Sequence, residues 1–223
     1  MEVKRERYTP SDIGPTPVDW DAPYLQDVSS LITNGFVGTA TPHYCDANGV
    51  TYLYGTNVRE NKIDLTGVRM ITPDFHKAQS KTRLEEGDLL TVQSGHIGTT
   101  AVVPPELEGA NCHALIVTRL RRETMHPKFL SAYLNSHIGK ARLKGLHVGS
   151  TILHINTKDL KKFRIPLPSL SEQKQIAEIL STWDRAIEVT QELIKASSKH
   201  KVGLMQQLLS GQTRLPGFEK EPF

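Results

Sequence analysis

The sequence predicts an α+β fold. A globular body spans residues 1–168, and a long C-terminal coiled-coil helix with a short tail spans 169–223. Three observations carry this. Short strand-like runs separated by glycine, asparagine and aspartate turns fill the chain between Ile32 and Leu120. From Pro127 the apolar residues change to helical spacing. From Ser169 to Gly211 no proline interrupts the chain, and the apolar positions step by four and three.

Residues 1–18 are polar and punctuated by Pro10, Pro15 and Pro17, which reads as an extended lead-in. Trp20 to Val28 is the first packed segment, with Trp20 and Leu25 as core anchors. Ile32 to Thr41 carries Asn34-Gly35 and Gly38, a turn-rich loop. Asn48-Gly49, between Tyr44 and the run Val50–Tyr54, predicts a β-hairpin. Ile63–Ile71 reads as a strand, as do Gly87–Val92, Thr99–Val103 and His113–Leu120. Phe129, Leu130, Tyr133, Leu134 and Ile138 fall on one helical face. Beyond Gly149-Ser150-Thr151 come a strand-like Ile152–Ile155, a short helical turn capped by Asn156, and a last strand at Phe163–Leu167.

The long helix has its own start and stop. Ser169 with Glu172 three residues on is a capping-box pattern, and Pro166 and Pro168 prevent backward extension. Gly211 with Pro216 beyond it is a stop. Ile176, Leu180, Trp183, Ile187, Ile194, Leu204 and Leu208 form a seam that needs a partner helix, with polar Thr190, Ser197 and Lys201 interleaved. At ~1.5 Å per residue the helix is ~60 Å long, more than the core of one small domain covers.

A length of 223 residues allows one ordinary core plus the arm. No apolar run approaches the ~18 residues of a membrane span. The charged N-terminus lacks an apolar signal region, and two cysteines are too few for a disulfide framework, so a cytoplasmic setting is expected. The formal charge of +3 permits a polyanionic partner without demanding one.

Catalytic constellations are missing from the pattern. His43, Cys45, Cys112 and His113 do not have the spacing of paired zinc ligands. There is no Walker loop, no G-x-S-x-G and no H-E-x-x-H. Binding chemistry is better represented. Basic residues cluster as Arg119, Arg121 and Arg122; as Lys140, Arg142 and Lys144; and as Lys158, Lys161, Lys162 and Arg164. Such side chains neutralise phosphates, while polar residues on glycine-rich loops reach base edges. Three loops suit the second role. They contribute Thr56, Asn57 and Arg59; Gln93, Ser94, His96 and Thr99; and His147, Ser150, Thr151 and His154. On composition alone a merely solvated basic surface with turn-forming glycines explains these features equally well.

Longer motifs break that balance. The run Ile165-Pro166-Leu167-Pro168-Ser169-Leu170-Ser171-Glu172-Gln173-Lys174-Gln175-Ile176, with the helix behind it and Leu208-Leu209-Ser210-Gly211 at its end, resembles the specificity subunits of type I restriction-modification systems. Upstream, Gly87-Asp88-Leu89-Leu90, Ser94-Gly95-x-Ile97-Gly98, Pro127-x-Phe129-Leu130 and Gly149-Ser150-Thr151 match the order of that family's target recognition domain. The resemblance covers nearly the whole chain.

The resemblance implies a target recognition domain over 1–168 that reads a few base pairs of double-stranded DNA through the major groove. It implies a dimerisation and spacer helix over 169–223. It further implies a non-catalytic chain that directs methyltransferase subunits, and through the complex a restriction subunit, to a bipartite site. S-adenosylmethionine is then expected on the modification subunit, with no cofactor or metal on this chain. Full-length relatives carry two recognition domains and two such helices. This chain carries one of each, as a natural half-subunit or as the N-terminal half of a longer protein. A homodimer would supply the missing helix and favour a palindromic site. The competing readings are a coiled-coil adaptor whose head binds a protein, and a metal-dependent enzyme of unrecognised type.

Overall fold

The computed structural model describes residues 8–9, 13–146 and 154–218. The chain divides into two compact units, Met1–Ala177 and Glu178–Phe223.

The first unit opens with the short strands β1 (Tyr8–Thr9) and β2 (Thr16–Pro17), and then β3 (Ser29–Asn34). Next come β4 (Val50–Leu53), β5 (Val58–Arg59), β6 (Lys62–Ile63), β7 (Arg69–Ile71) and α1 (Pro73–Ala78). β8 (Leu89–Val92), β9 (Thr100–Val102), β10 (Asn111–Cys112) and β11 (Leu115–Leu120) complete the strands. The helices α2 (Pro127–Asn135), α3 (His137–Gly145) and α4 (Thr157–Lys161) precede α5 (Leu170–Leu209). This is the expected α+β body with a long C-terminal helix.

A four-stranded sheet in the order β3-β11-β8-β9 is the frame, and its strand pairs are all antiparallel. Alternate side chains of a strand point to opposite faces. Accordingly Leu89, Ile116 and Leu120 join one buried cluster, with Leu130, Leu134, Leu143 and Leu160 of the helices. Leu90, Val92, Leu115 and Val117 join a second cluster on the other face. Burial on both faces explains why all four residues of β8 are apolar or shielded. A smaller sheet, β10-β4-β7, carries a third cluster around Tyr52, Ile71 and Phe75.

Several sequence expectations change. Asn48 does turn the chain, with φ of 54°, but Tyr44 and β4 do not pair as a hairpin. Tyr44 instead bridges to Ile71, and β4 pairs with β7 and β10, because the apolar face of β4 is completed by those strands. The Ile63–Ile71 strand is split into β6 and β7 by the turn at Gly67, φ 67°. Phe163–Leu167 forms only isolated bridges, Arg164 to Tyr24 and Leu167 to Asp21. Ile165 donates to the Pro23 carbonyl at 3.0 Å, but Pro23 has no N–H to return the bond and extend that ladder. Trp20 is half-buried, edge-on to Phe129 with ring centroids 6.4 Å apart, while Leu25 is buried as expected.

α5 starts where the sequence places it. The Ser169 hydroxyl accepts from the Glu172 backbone N–H at 3.2 Å. Its first two turns belong to the body: Gln173 and Ala177 are buried, and Ile176 packs against the first cluster. Gly211, φ 70°, lies just past its end.

Candidate nucleic-acid interface

The loop after β8 is built to project polar groups from a fixed base. The Val92 N–H donates to the Thr99 carbonyl, and the Gly98 N–H to the Val92 carbonyl, each at 2.9 Å. Ile97 anchors the loop in the first core cluster. Gly98 holds φ of 80°, a left-handed conformation that favours glycine, and packs where a Cβ would lie 2.9 Å from Leu143 Cδ1. Between these fixed points Ser94 and His96 are exposed, and Thr99 is half-buried.

A second segment meets this loop. Ser94 and His154 form an antiparallel bridge, and the Ser94 hydroxyl lies 2.8 Å from His154 Nδ1. The Ile155 N–H donates to the Gln93 carbonyl at 3.0 Å. Buried Ile155 and Leu160 anchor both ends of the 155–160 segment, and Asn156 caps α4 by accepting from the Asp159 N–H at 2.9 Å. α4 and its C-cap therefore present Lys158, Lys161 and Lys162 as exposed cations. Among the described residues no carboxylate is within ion-pairing distance of these three.

The turn after β4 lies beside the same strand end. A Cβ on Gly55 would sit 3.5 Å from Val92. Thr56 and Arg59 are exposed there, with Arg59 3.6 Å from Asp64.

Several anticipated residues take other places. Asn57 is buried, and its amide accepts from the Tyr54 N–H at 3.0 Å and donates to the Asp64 carbonyl at 2.9 Å. It holds the turn instead of facing a groove. Gln93 is buried at 4% exposure, and its Oε1 has no partner among the described residues. Its main chain, not its side chain, organises the loop. His147, Ser150 and Thr151 lie outside the described residues.

The basic clusters also sort themselves. Arg119 pairs with Asp88 and Glu85. Lys140 pairs with Glu60. Arg142 stacks over Phe163 and donates to the Arg164 carbonyl at 2.8 Å. Arg164 stacks over Tyr24 and donates to the Ala22 carbonyl at 2.7 Å. These guanidinium groups hold the body together, whereas Lys158, Lys161 and Lys162, like Arg122 and Lys144, are exposed with no ion pair among the described residues.

A buried polar hub has no counterpart in the sequence pattern. The Asn135 Oδ1 accepts from the Thr100 N–H at 3.0 Å, and its Nδ2 donates to the Thr100 carbonyl and to Asn61 Oδ1. Ser131 also donates to Asn61 Oδ1 at 2.9 Å. The one local signal is Asn61 at a turn; its φ is 59°, a conformation asparagine tolerates. Nothing local ties it to Asn135.

In the second unit, Leu180, Trp183, Ile187, Ile194, Leu204 and Leu208 are exposed along α5, Trp183 at 67%. Ile176 differs from the rest of the expected seam because it is covered by the body. Among the described residues no helix is long and apolar enough to cross a membrane. No group of three or more His, Cys, Asp or Glu among them is placed to hold a metal.

The arrangement defines a class: an α+β body with polar loops beside an exposed lysine helix, continued by a helix bearing an unpaired apolar stripe. The model of the type I restriction modification DNA specificity domain matches residues 17–196, and the chain belongs to that family. A putative type I restriction enzyme MjaX specificity subunit from Methanocaldococcus jannaschii is 31% identical over 216 residues, covering 93% of this chain and 49% of that protein. The type I restriction enzyme EcoBI specificity subunit of Escherichia coli is 22% identical over 160 residues, 72% of this chain and 34% of its own length. The crystal structure of the HsdS subunit from Thermoanaerobacter tengcongensis has the same fold, with a TM-score of 0.60 and 22% identity over 92% of this chain and 52% of that one. The chain spans about half the length of the curated relatives it matches.

Proposed function

We propose that this chain is a non-catalytic DNA-reading subunit of a type I restriction-modification complex, acting in the cytoplasm. Its body reads one half of a bipartite double-stranded site. Ser94, His96 and His154 face base edges, flanked by Thr56, Arg59 and Thr99. Lys158, Lys161 and Lys162 neutralise backbone phosphates. Its helix pairs with a second copy, so that two bodies address two half-sites in a palindrome. Modification subunits dock on this assembly and supply S-adenosylmethionine and the methyl-transfer chemistry; a restriction subunit joins through the same complex.

The observation that supports this most is the joining of the 93–99 loop to His154 and α4. Residues some 60 positions apart thereby present hydrogen-bonding groups and unpaired lysines together. Phosphate contacts position a protein on DNA and base-edge contacts select the sequence, and both kinds of group are at hand. The test is to combine the chain with a matching modification subunit and S-adenosylmethionine, then map the methylated bases. Methylation confined to a two-part sequence supports the reading. Turnover by the isolated chain, or methylation without sequence preference, overturns it.

A further inference from the structure

We infer that Ser94 is a positioning residue that sets the hydrogen-bonding state of His154, and that His154 Nε2–H selects a base carrying an acceptor on its major-groove edge. The inference rests on the DNA-reading function proposed above and adds the chemistry of one contact. Ser94 Oγ stands 2.8 Å from His154 Nδ1, and among the described residues its side chain has no other hydrogen-bond partner. The antiparallel bridge between the two residues fixes both main chains. Both residues are exposed, so the imidazole is anchored through one nitrogen and accessible to a ligand.

Which nitrogen of a neutral histidine carries the proton is set by the bond the other nitrogen makes. When the serine hydroxyl donates to Nδ1, the proton resides on Nε2. In the imidazolium form Nε2 carries a proton as well. With the hydroxyl donating, the arrangement inferred for this pair, His154 offers an N–H donor at Nε2 beside the Lys158, Lys161 and Lys162 helix. Purine N7, guanine O6 and thymine O4 accept such a bond, whereas the cytosine edge offers only its amino donor. His154 thus disfavours cytosine at one position of the half-site, and Ser94 makes that preference sharp without touching the base.

The experiment is a binding selection from randomised duplex DNA at fixed salt, run with the chain alone and again with a type I modification subunit. His154→Ala is expected to lose preference at one position by about fivefold or more. Ser94→Ala should relax the same position, and Ser94→Thr, which keeps the hydroxyl, should restore it. Salt dependence and melting temperature should match the parent chain in all three. A parent chain that selects a sequence while Ser94→Ala selects the same one with equal stringency overturns the inference alone. So does relaxation at a different position from that of His154→Ala. A parent chain that selects no sequence in either format overturns the proposed function and this contact together.

Discussion

The buried side-chain amide of Gln173 accepts the His126 backbone N–H at 2.8 Å and donates to the carbonyls of Thr124 and Pro168, at 3.0 and 2.9 Å. One amide thereby satisfies three main-chain groups where the long helix begins. Gln173→Ala strands those groups and is expected to cost about 2–4 kcal/mol of body stability. Gln173→Glu should do no better, since a carboxylate cannot donate to two carbonyls. Denaturant unfolding of the full chain measures this, and a loss under about 0.5 kcal/mol would refute the assignment.

Arg119 and Asp88 make the second case. The Arg119 Nε and Nη2 donate to the two oxygens of Asp88, each at 2.9 Å, and the Asp88 side chain is only 1% exposed. Removing the cation leaves a buried carboxylate without its partner, which costs about 3–5 kcal/mol. Arg119→Ala should therefore lower the unfolding midpoint strongly while leaving the salt dependence of DNA binding unchanged. A changed salt slope in a stably folded variant would return Arg119 to the DNA surface.

The contrast between these residues and the rest shows what the sequence made legible. The strands of the central sheet, the helical spacing after Pro127 and the limits of the long helix come from periodicity, turn residues and Ser169 capping, all local signals, whereas the break at Ser136 that puts Ile138 on a separate, exposed helix face was not read. The loop after β8 was recognisable from its glycines, and Gly98 does take a left-handed conformation, φ 80°, that favours glycine. What escaped was non-local. Asn57 and Gln93 resemble groove-facing amides in the sequence, yet one is spent inside its own turn and the other is turned inward. Arg142 and Arg164 resemble phosphate contacts, yet each is taken by an aromatic ring and a carbonyl from distant segments. Charge clusters in a sequence do not say which charges the fold itself uses.

Acid should weaken the body through its histidines. Burial lowers the His126 pKa, with Lys174 and Lys128 adding to it, and its Nδ1 is buried with no hydrogen-bond partner among the described residues. Burial lowers His113 as well. Both folded values lie below those of the unfolded chain, so the unfolded state binds more protons as pH falls. This contribution is complete above an unfolded value of about 6.5 and is lost as pH drops through that value and then the folded ones. Melting temperature should fall as pH drops below about 6.5, and His126→Gln should flatten that fall. An unaltered acid profile in the variant would count against the role of His126.

Lys161→Ala combined with Lys162→Ala should weaken binding to all duplexes alike. Each lost phosphate contact removes about 0.9 from the slope of log K against log salt, so the double variant should lose up to about 2. Sequence preference should persist. A shifted preference with an unchanged slope would mean that α4 meets bases instead of the backbone.

The exposed stripe of α5 sets the last expectation. Leu180, Trp183, Ile187 and Ile194 remain 43%, 67%, 55% and 61% exposed. Full burial of such a side chain contributes roughly 1.5–3 kcal/mol, so four of them can contribute on the order of 10 kcal/mol. Lost translational and rotational freedom offsets about 4–15 kcal/mol of that, which makes the interface dependent on every member of the stripe. Polar Thr190 and Ser197 interrupt it, and such breaks specify register at some cost in stability. The chain should therefore sediment as a dimer at micromolar concentration, and Trp183→Asp with Ile187→Asp should yield folded monomers. Those monomers should retain the salt-dependent, single-site DNA binding of the body but lose the preference for a two-part palindrome. A parent chain that sediments as a monomer both alone and with the modification subunit would defeat the homodimer. The stripe would then have to be covered by a helix from a different chain or from another part of a longer one.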